Sequence, residues 1–268
     1  MKTMILDNNI DNIKLYDQSG IDRVFVDLEI IGKVERQGGM DTVISDHSLD
    51  DIKKIKPILS NAKLLVRVNP IHSNSAIEIS ESIDNGADIV MLPMFKTAAE
   101  VTSFVKFVDK RATVCLLLET SEALCRIDEI LEVEGIDEIH IGLNDLHLAL
   151  GLDFMFELLG CDLVEYLTKK IQSKNIPFGI GGVARMDDGM LNGRIIMVEH
   201  VRLGSQMVIL SRTFKGKGKI SVENLQHEVN KLQKVVIDST SLSTAGFMEN
   251  RRDLKNISAE IAIKMRQK

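Results

Sequence analysis

The feature that most constrains this chain is a recurring unit. A near-continuous apolar run ends in a polar residue, and a stretch with helical periodicity follows, along most of its length. Runs of this kind, apolar without alternation, are strands buried on both faces, which is the mark of a parallel sheet. The strand candidates are Lys2–Leu6, Asp22–Glu29, Ala62–Asn69, Ala87–Met94, Ala112–Thr120, Ile136–Leu143, Pro177–Val183 and, last, Val201–Gly204. Helical patterns lie between them at Ile10–Ser19, Leu49–Ser60, Ser75–Asn85, Thr97–Lys110, Glu122–Glu134 and Asp162–Asn175. Glycines at 20, 86 and 135 stand where helices should stop.

Eight such units predict an α/β fold, a (β/α)8 TIM barrel with extra C-terminal helices. An open doubly wound sheet is the second architecture the pattern allows. The 268 residues suit one large barrel domain. Residues 1–215 are read as the catalytic barrel. Residues 216–268 are read as a helical extension, with amphipathic stretches at Val222–Val236 and Asp253–Gln267, packing on the barrel or on a neighbouring subunit.

Composition removes several function classes. A net charge of −6 gives no basic surplus for nucleic acid. No segment approaches the ~18 apolar residues of a membrane span, and the N-terminus has no signal-peptide pattern. Cys115, Cys125 and Cys161 are odd in number and lack CxxC spacing, which argues against a disulfide framework or zinc site and for reduced thiols in a cytoplasm.

In a parallel barrel, chemistry collects where the strands end. The second run ends in Asp27 and Glu29, the third carries Arg67 and Asn69, and the fourth ends at Pro93-Met94. The fifth ends in Glu119-Thr120, the sixth in Asn144-Asp145, and the seventh in Gly181-Gly182 with Arg185 beyond. A few carboxylates with open positions suit a hard divalent cation, magnesium or manganese. A fixed guanidinium suits a substrate carboxylate. Together they describe a site for the enolate of a 2-keto acid. Singly, each acid is as well explained as a helix cap or loop residue.

Four stretches sharpen this. FVDLE (Phe25–Glu29), LLVRVNP (Leu64–Pro70), NGADIVMLPMFKTAAEV (Asn85–Val101) and LLLETSEALCRIDEILEVEGIDEIHIGLNDLHLALG (Leu116–Gly151) resemble the HpcH/HpaI aldolase and citrate lyase β-subunit superfamily. The resemblance is good over roughly residues 20–155 and weak elsewhere. It implies a metal-dependent carbon–carbon lyase or aldolase acting on a pyruvate-like 2-keto acid, with Glu119 and Asp145 as metal ligands. It implies Arg67 on the substrate carboxylate and the enolate-side oxygen, Asp27 and Glu29 as the acidic pair beside it, and a homo-oligomer, trimer or hexamer.

One departure stands out. Where the aldolase branch follows its D-x-E with a histidine, this chain has Ile30 and continues IIGKVERQGG. A substitute acid/base is sought among His47, His72, His140 and His147. His47 is favoured, and His140, inside a strand, reads as a core or supporting residue. Lys33, Glu35 and Arg36 in the same loop are candidates for an anionic group. The glycine-rich turns GIGGVAR and RLGSQ raise a second expectation, an anion near Gly181, Gly182, Gly204 and Ser205 at the loops after strands seven and eight. The competing functions are an acyl-CoA lyase on the same scaffold and, given Ile30, a non-catalytic barrel that keeps the metal site.

Overall fold

The computed structural model describes residues 1–32, 46–216 and 220–267. Eight parallel strands close into a barrel in sequence order, β1 to β8. They are β1 Lys2–Leu6, β2 Arg23–Asp27, β3 Lys63–Arg67, β4 Ile89–Leu92, β5 Thr113–Leu118, β6 Glu138–Ile141, β7 Phe178–Val183 and β8 Met207–Leu210. β1 pairs with β8 through Lys2↔Met207 to Ile5↔Leu210, which closes the ring.

The helices form the outer layer: α1 Ile10–Gln18, α2 Leu49–Ile55, α3 Ser75–Asp84, α4 Ala98–Val108, α5 Ser121–Cys125, α6 Ile127–Leu131, α7 Leu143–Ala149, α8 Glu157–Gly160, α9 Asp162–Ser173 and α10 Gly193–Leu203. Capping explains several starts. Asn9, Thr97, Thr120 and Asn192 each accept backbone N–H bonds from the first turn of the helix they precede. None of the described helices is long and apolar enough to cross a membrane.

Two hydrophobic layers result. One lies between strands and helices. The other fills the barrel with Met4, Phe25, Leu65, Ile89, Met91, Cys115, Leu117 and Met207. Inside the barrel Arg23 spans from β2 to Glu138 on β6, both buried, with Nη2 2.9 Å from Oε2.

The expected strand at Val201–Gly204 is a correction. These residues end α10, whose buried Ile196, Met197, His200 and Leu203 recur at helical spacing, and Gly204 terminates it with φ 79°. The true last strand is the four-residue Met207–Leu210. The expected helix Glu122–Glu134 is broken at Arg126 into α5 and α6.

Beyond β8, α11 Val222–Ser239 packs on α1 and α10, the place of the eighth helix in a barrel of this kind. Helix α11 lies within the 216–268 stretch read as a helical extension. Helix α12, Thr244–Arg266, lies across α10 and α8. It begins nine residues before the expected Asp253, because Ser243 caps it by accepting from the Gly246 N–H.

Candidate active site

Asp27 and Arg67 are register partners at the ends of β2 and β3. Arg67 Nε donates to Asp27 Oδ1 and Nη2 to Oδ2, both at 2.8 Å, a bidentate pair. Glu29 adds an ion pair to Nη2 at 3.2 Å. Asp27 and Glu29 are each 1 % exposed, and the guanidinium lies 5.5 Å from the centroid of the Phe25 ring. Despite burial, the carboxylates of Asp27, Glu29 and Glu119 hold Arg67 charged well beyond the ordinary range.

Glu119 directly follows β5 and is buried. Its Oε1 accepts the Met94 N–H at 3.2 Å. Met94 has φ 53°, a left-handed conformation that turns this N–H toward the carboxylate. Burial raises the Glu119 pKa well above the usual carboxylate range. The charge of Asp145 raises it further, and Arg67 opposes both. Asp145 lies in the first turn of α7, directly after β6. A Cβ on Gly142 would sit 2.8 Å from Glu119 Oε2, so a glycine is needed for the carboxylate to occupy this position. Glu119, Asp145, Met94, Thr120, Leu148 and Ala149 line part of a cleft of about 230 Å³.

The donor set fits a hard divalent cation. Two carboxylates whose charges oppose one another in a buried setting lose that conflict when a cation lies between them, and magnesium needs few protein ligands. Among the described residues no cluster of three or more His, Cys, Asp or Glu could hold a metal, so any ion here would take its remaining positions from water and substrate.

His47 meets β2 through its ring: the Asp27 N–H donates to Nδ1 at 2.9 Å. An N–H donor requires a lone pair on Nδ1, which places the ring proton on Nε2. Ile30 is 62 % exposed, and both its N–H and that of Ile31 donate to Asn69 Oδ1, at 2.9 and 3.0 Å. Asn69 thus pins the turn that carries Ile30, and Glu78 pins Asn69 through Oε1 at 2.9 Å. Lys33, Glu35 and Arg36 lie outside the described residues.

The other candidate histidines have partners of their own. His72 pairs with Glu78 at 2.8 Å. His147 Nδ1 meets the Leu143 carbonyl of its own helix at 3.3 Å. His140 is wholly buried and donates from Nε2 to the Gly181 carbonyl at 2.9 Å. Burial lowers its pKa to about 4.

Gly181 and Gly182 sit in a register shift near the end of β7. Gly181 has φ 41°, and a Cβ there would meet Leu143 at 2.6 Å. Ser205 does not join them. It precedes β8, and its neighbour Gln206 accepts from Lys2 at the start of β1. Both Ser205 and Gly204 therefore belong to the end of the barrel opposite Glu119. This corrects the expected anion site, which depended on a strand at 201–204.

Residue type and strand-end position alone give Met94, Asn69 and Gly142 no role in the site. Asn69 in VNP carried a signal, a polar residue closing an apolar strand. Met94 acts through its backbone and Gly142 through a missing side chain, which residue type does not advertise.

The HpcH/HpaI aldolase/citrate lyase family matches residues 6–158. A hydroxypyruvate/pyruvate aldolase of Roseobacter denitrificans is 24% identical over 204 residues, covering 62% of this chain and 76% of the relative. One from Rhizorhabdus wittichii is 30% identical over 145 residues, 41% of this chain and 57% of the relative. Among solved structures, an HpcH/HpaI aldolase from Desulfitobacterium hafniense superposes with a TM-score of 0.62 at 18% identity, covering 91% of this chain and 94% of the other. The citrate synthase SbnG gives 0.61 at 16% identity, covering 90% and 95%. At these identities the structural likeness speaks for the barrel alone. The matched stretch is more than half of the sequence and runs from the end of β1 past Asp145, and the chain belongs to the HpcH/HpaI aldolase/citrate lyase family.

Proposed function

We propose that this chain is a divalent-metal-dependent carbon–carbon lyase of the aldolase type, acting on the enolate of a pyruvate-like 2-keto acid. The observation that carries the reading is the Arg67 guanidinium, clamped by Asp27 and Glu29 and within electrostatic reach of the Glu119 carboxylate. Glu119 and Asp145 would hold magnesium or manganese. When bound, such an ion supplies Lewis acidity at the keto oxygen, where charge develops as the enolate forms.

Arg67 orients the substrate carboxylate and stabilises the same developing charge. Asp27 fixes Arg67 with both oxygens and so acts as a positioning residue. In cleavage a proton leaves the C4 hydroxyl, the C3–C4 bond breaks, and its electron pair becomes the enolate. That enolate is then protonated at C3 to give the keto acid and an aldehyde. His47, neutral with its Nδ1 lone pair held by the Asp27 N–H, would take the hydroxyl proton and, as the imidazolium, return one to C3. Accepting one at Nδ1 requires that bond to break.

The test is methyl-proton exchange of pyruvate in deuterated water with manganese- or magnesium-loaded protein, followed by NMR. Exchange that EDTA abolishes and Arg67→Ala abolishes supports the reading. A second reading, a non-catalytic barrel, is favoured by the exposed Ile30 where the aldolase branch carries its histidine. Tight manganese binding without exchange on any 2-keto acid would support that one instead.

A further inference from the structure

We propose that Asn69 is a positioning residue for Glu29: it fixes the peptide groups on both sides of that residue and so aims its carboxylate at the Arg67 guanidinium. The proposal rests on the reading of Arg67 above and names what keeps that part of the site in shape.

Beyond β2 the chain turns through Leu28–Ile31, and the end of β3 holds the turn. The Leu28 N–H donates to the Arg67 carbonyl at 2.8 Å. The Glu29 N–H donates to Asp27 Oδ1 at 3.2 Å, the same oxygen that takes Arg67 Nε. Asn69 Nδ2 donates to the Leu28 carbonyl at 3.2 Å, and Asn69 Oδ1 accepts the N–H groups of Ile30 and Ile31. The peptide before Glu29 and the peptide after it are therefore bound to one side-chain amide. With its backbone held on both sides, the buried Glu29 carboxylate meets Arg67 Nη2 at 3.2 Å. The route from Asn69 to the guanidinium runs through Glu29.

The amide is itself held from behind. Its Nδ2 and the Asn69 backbone N–H both donate to Glu78 Oε1 on α3, at 2.9 and 3.0 Å. His72 Nε2 meets the other oxygen, Oε2, at 2.8 Å. The Asn74 N–H donates to His72 Nδ1 at 3.1 Å, which puts the ring proton on Nε2, facing Glu78. An asparagine side chain offers two N–H groups and two lone pairs, and here all four are used. Acceptors stand on its nitrogen side and donors on its oxygen side, so the amide has one orientation. A leucine of similar size would fill the place and leave the Leu28 carbonyl and two N–H groups without these partners. Packing alone asks for no such set of contacts.

The test is a double-mutant cycle on pyruvate methyl-proton exchange with the manganese-loaded protein: Asn69→Ala, Glu29→Gln and the two together. Asn69→Ala should lower kcat for exchange about tenfold, the kind of loss that follows when a positioning group is removed at a distance from the chemistry. KM should change less, because Asp27 still holds Nε and Nη2. The double variant should be no slower than Glu29→Gln alone, since Asn69 then has nothing left to aim. Losses that multiply, or wild-type exchange in Asn69→Ala, overturn the proposal, because an asparagine that only stabilises the turn acts independently of Glu29. Glu78→Ala runs the same cycle from α3 if Asn69→Ala does not fold, with the same non-additivity expected.

A readout without turnover keeps this separate from the aldolase reading. If the wild type does not exchange pyruvate, NMR of the Arg67 side-chain N–H groups, assigned with Arg67→Lys, decides. Asn69→Ala should shift the Nη2 protons in the direction that Glu29→Gln shifts them, and the Nε proton, bound to Asp27, should shift less. Wild-type Nη2 signals in Asn69→Ala refute the proposal whatever reaction the protein performs.

Discussion

Asp27 and Arg67 meet edge to edge, two parallel hydrogen bonds of 2.8 Å joining residues that the register of β2 and β3 already places side by side. The strand pairing fixes both backbones, so the guanidinium has one orientation before any substrate arrives. Preorganisation of this kind is what makes an electrostatic contact effective in catalysis.

Asp27→Asn tests it. The amide retains one acceptor oxygen but cancels the charge and replaces the second acceptor with a donor facing Arg67 Nη2. Pyruvate methyl exchange should fall about 10²-fold, since losing a preorganised contact of this strength costs roughly 3 kcal/mol in the transition state. Manganese affinity, measured by calorimetry, should change far less, because Asp27 is not among the proposed ligands. Equal loss of both would mean that Asp27 serves the metal rather than the arginine.

Gly142→Ala probes the other half of the site. The new methyl would stand 2.8 Å from Glu119 Oε2 and 2.9 Å from Glu119 Cβ, so the carboxylate must move. Manganese affinity should drop about 10- to 100-fold, the range seen when groups that orient metal ligands are lost, while circular dichroism stays that of the wild type. Unchanged affinity would remove Glu119 from the ligand set.

Most of the fold was legible because strands buried on both faces must be apolar throughout, and each such run marked a barrel strand to within a few residues. The exception is instructive. In the last unit the apolar residues of α10 and of β8 are separated only by Gly204, Ser205 and Gln206, and the longer, helical group drew the assignment. From that single shift Ser205 was carried to the wrong end of the barrel. In the site, Asp27, Arg67, Glu119 and Asp145 could be named because each is a charge closing an apolar run. Met94 could not, because its contribution is a backbone N–H aimed by an unusual φ. His47 could be named but not given a protonation state, since that depends on its meeting the Asp27 N–H across a loop.

The C-terminal helix offers a prediction about stability. Arg251 on α12 reaches Asp162 at 2.7 Å and Glu165 at 3.0 Å on α9, while Arg202 joins Glu165 to the fully buried Glu199. Lys169 first, then Arg202 and Arg251, hold the Glu165 pKa down to about 2. Arg202→Ala leaves Glu199 buried beside only a distant Arg251, 4.0 Å away, and should cost about 3–5 kcal/mol in urea unfolding. Arg251→Ala should cost less and appear mainly as faster hydrogen exchange in α12.

The last prediction concerns acid. His140 and His200 are both fully buried, and burial lowers their pKa values to about 4 and about 3 from 6.5. Neither His200 ring nitrogen has a hydrogen-bond partner, and the His140 charge would disfavour protonating it further. Both histidines are depressed in the folded state, so the unfolded chain binds more protons between these values and 6.5. Their contribution is therefore complete above pH 6.5 and is lost as pH falls toward 4 and 3. By the 1.36 kcal/mol per unit of pKa shift, His140 should remove about 3 kcal/mol and His200 about 5 kcal/mol across their windows. Urea titrations at pH 7, 6 and 5 should show the midpoint falling steadily. His200→Leu makes the cause specific. It removes two unsatisfied buried nitrogens and one titrating group, so stability at pH 7 should hold or rise by about 1 kcal/mol, and the slope below pH 6.5 should flatten. A variant with the wild-type slope between pH 7 and 5 would place the acid sensitivity in groups other than His200, and not in the ion pairs of Glu165, whose loss begins only as pH drops below about 4.5.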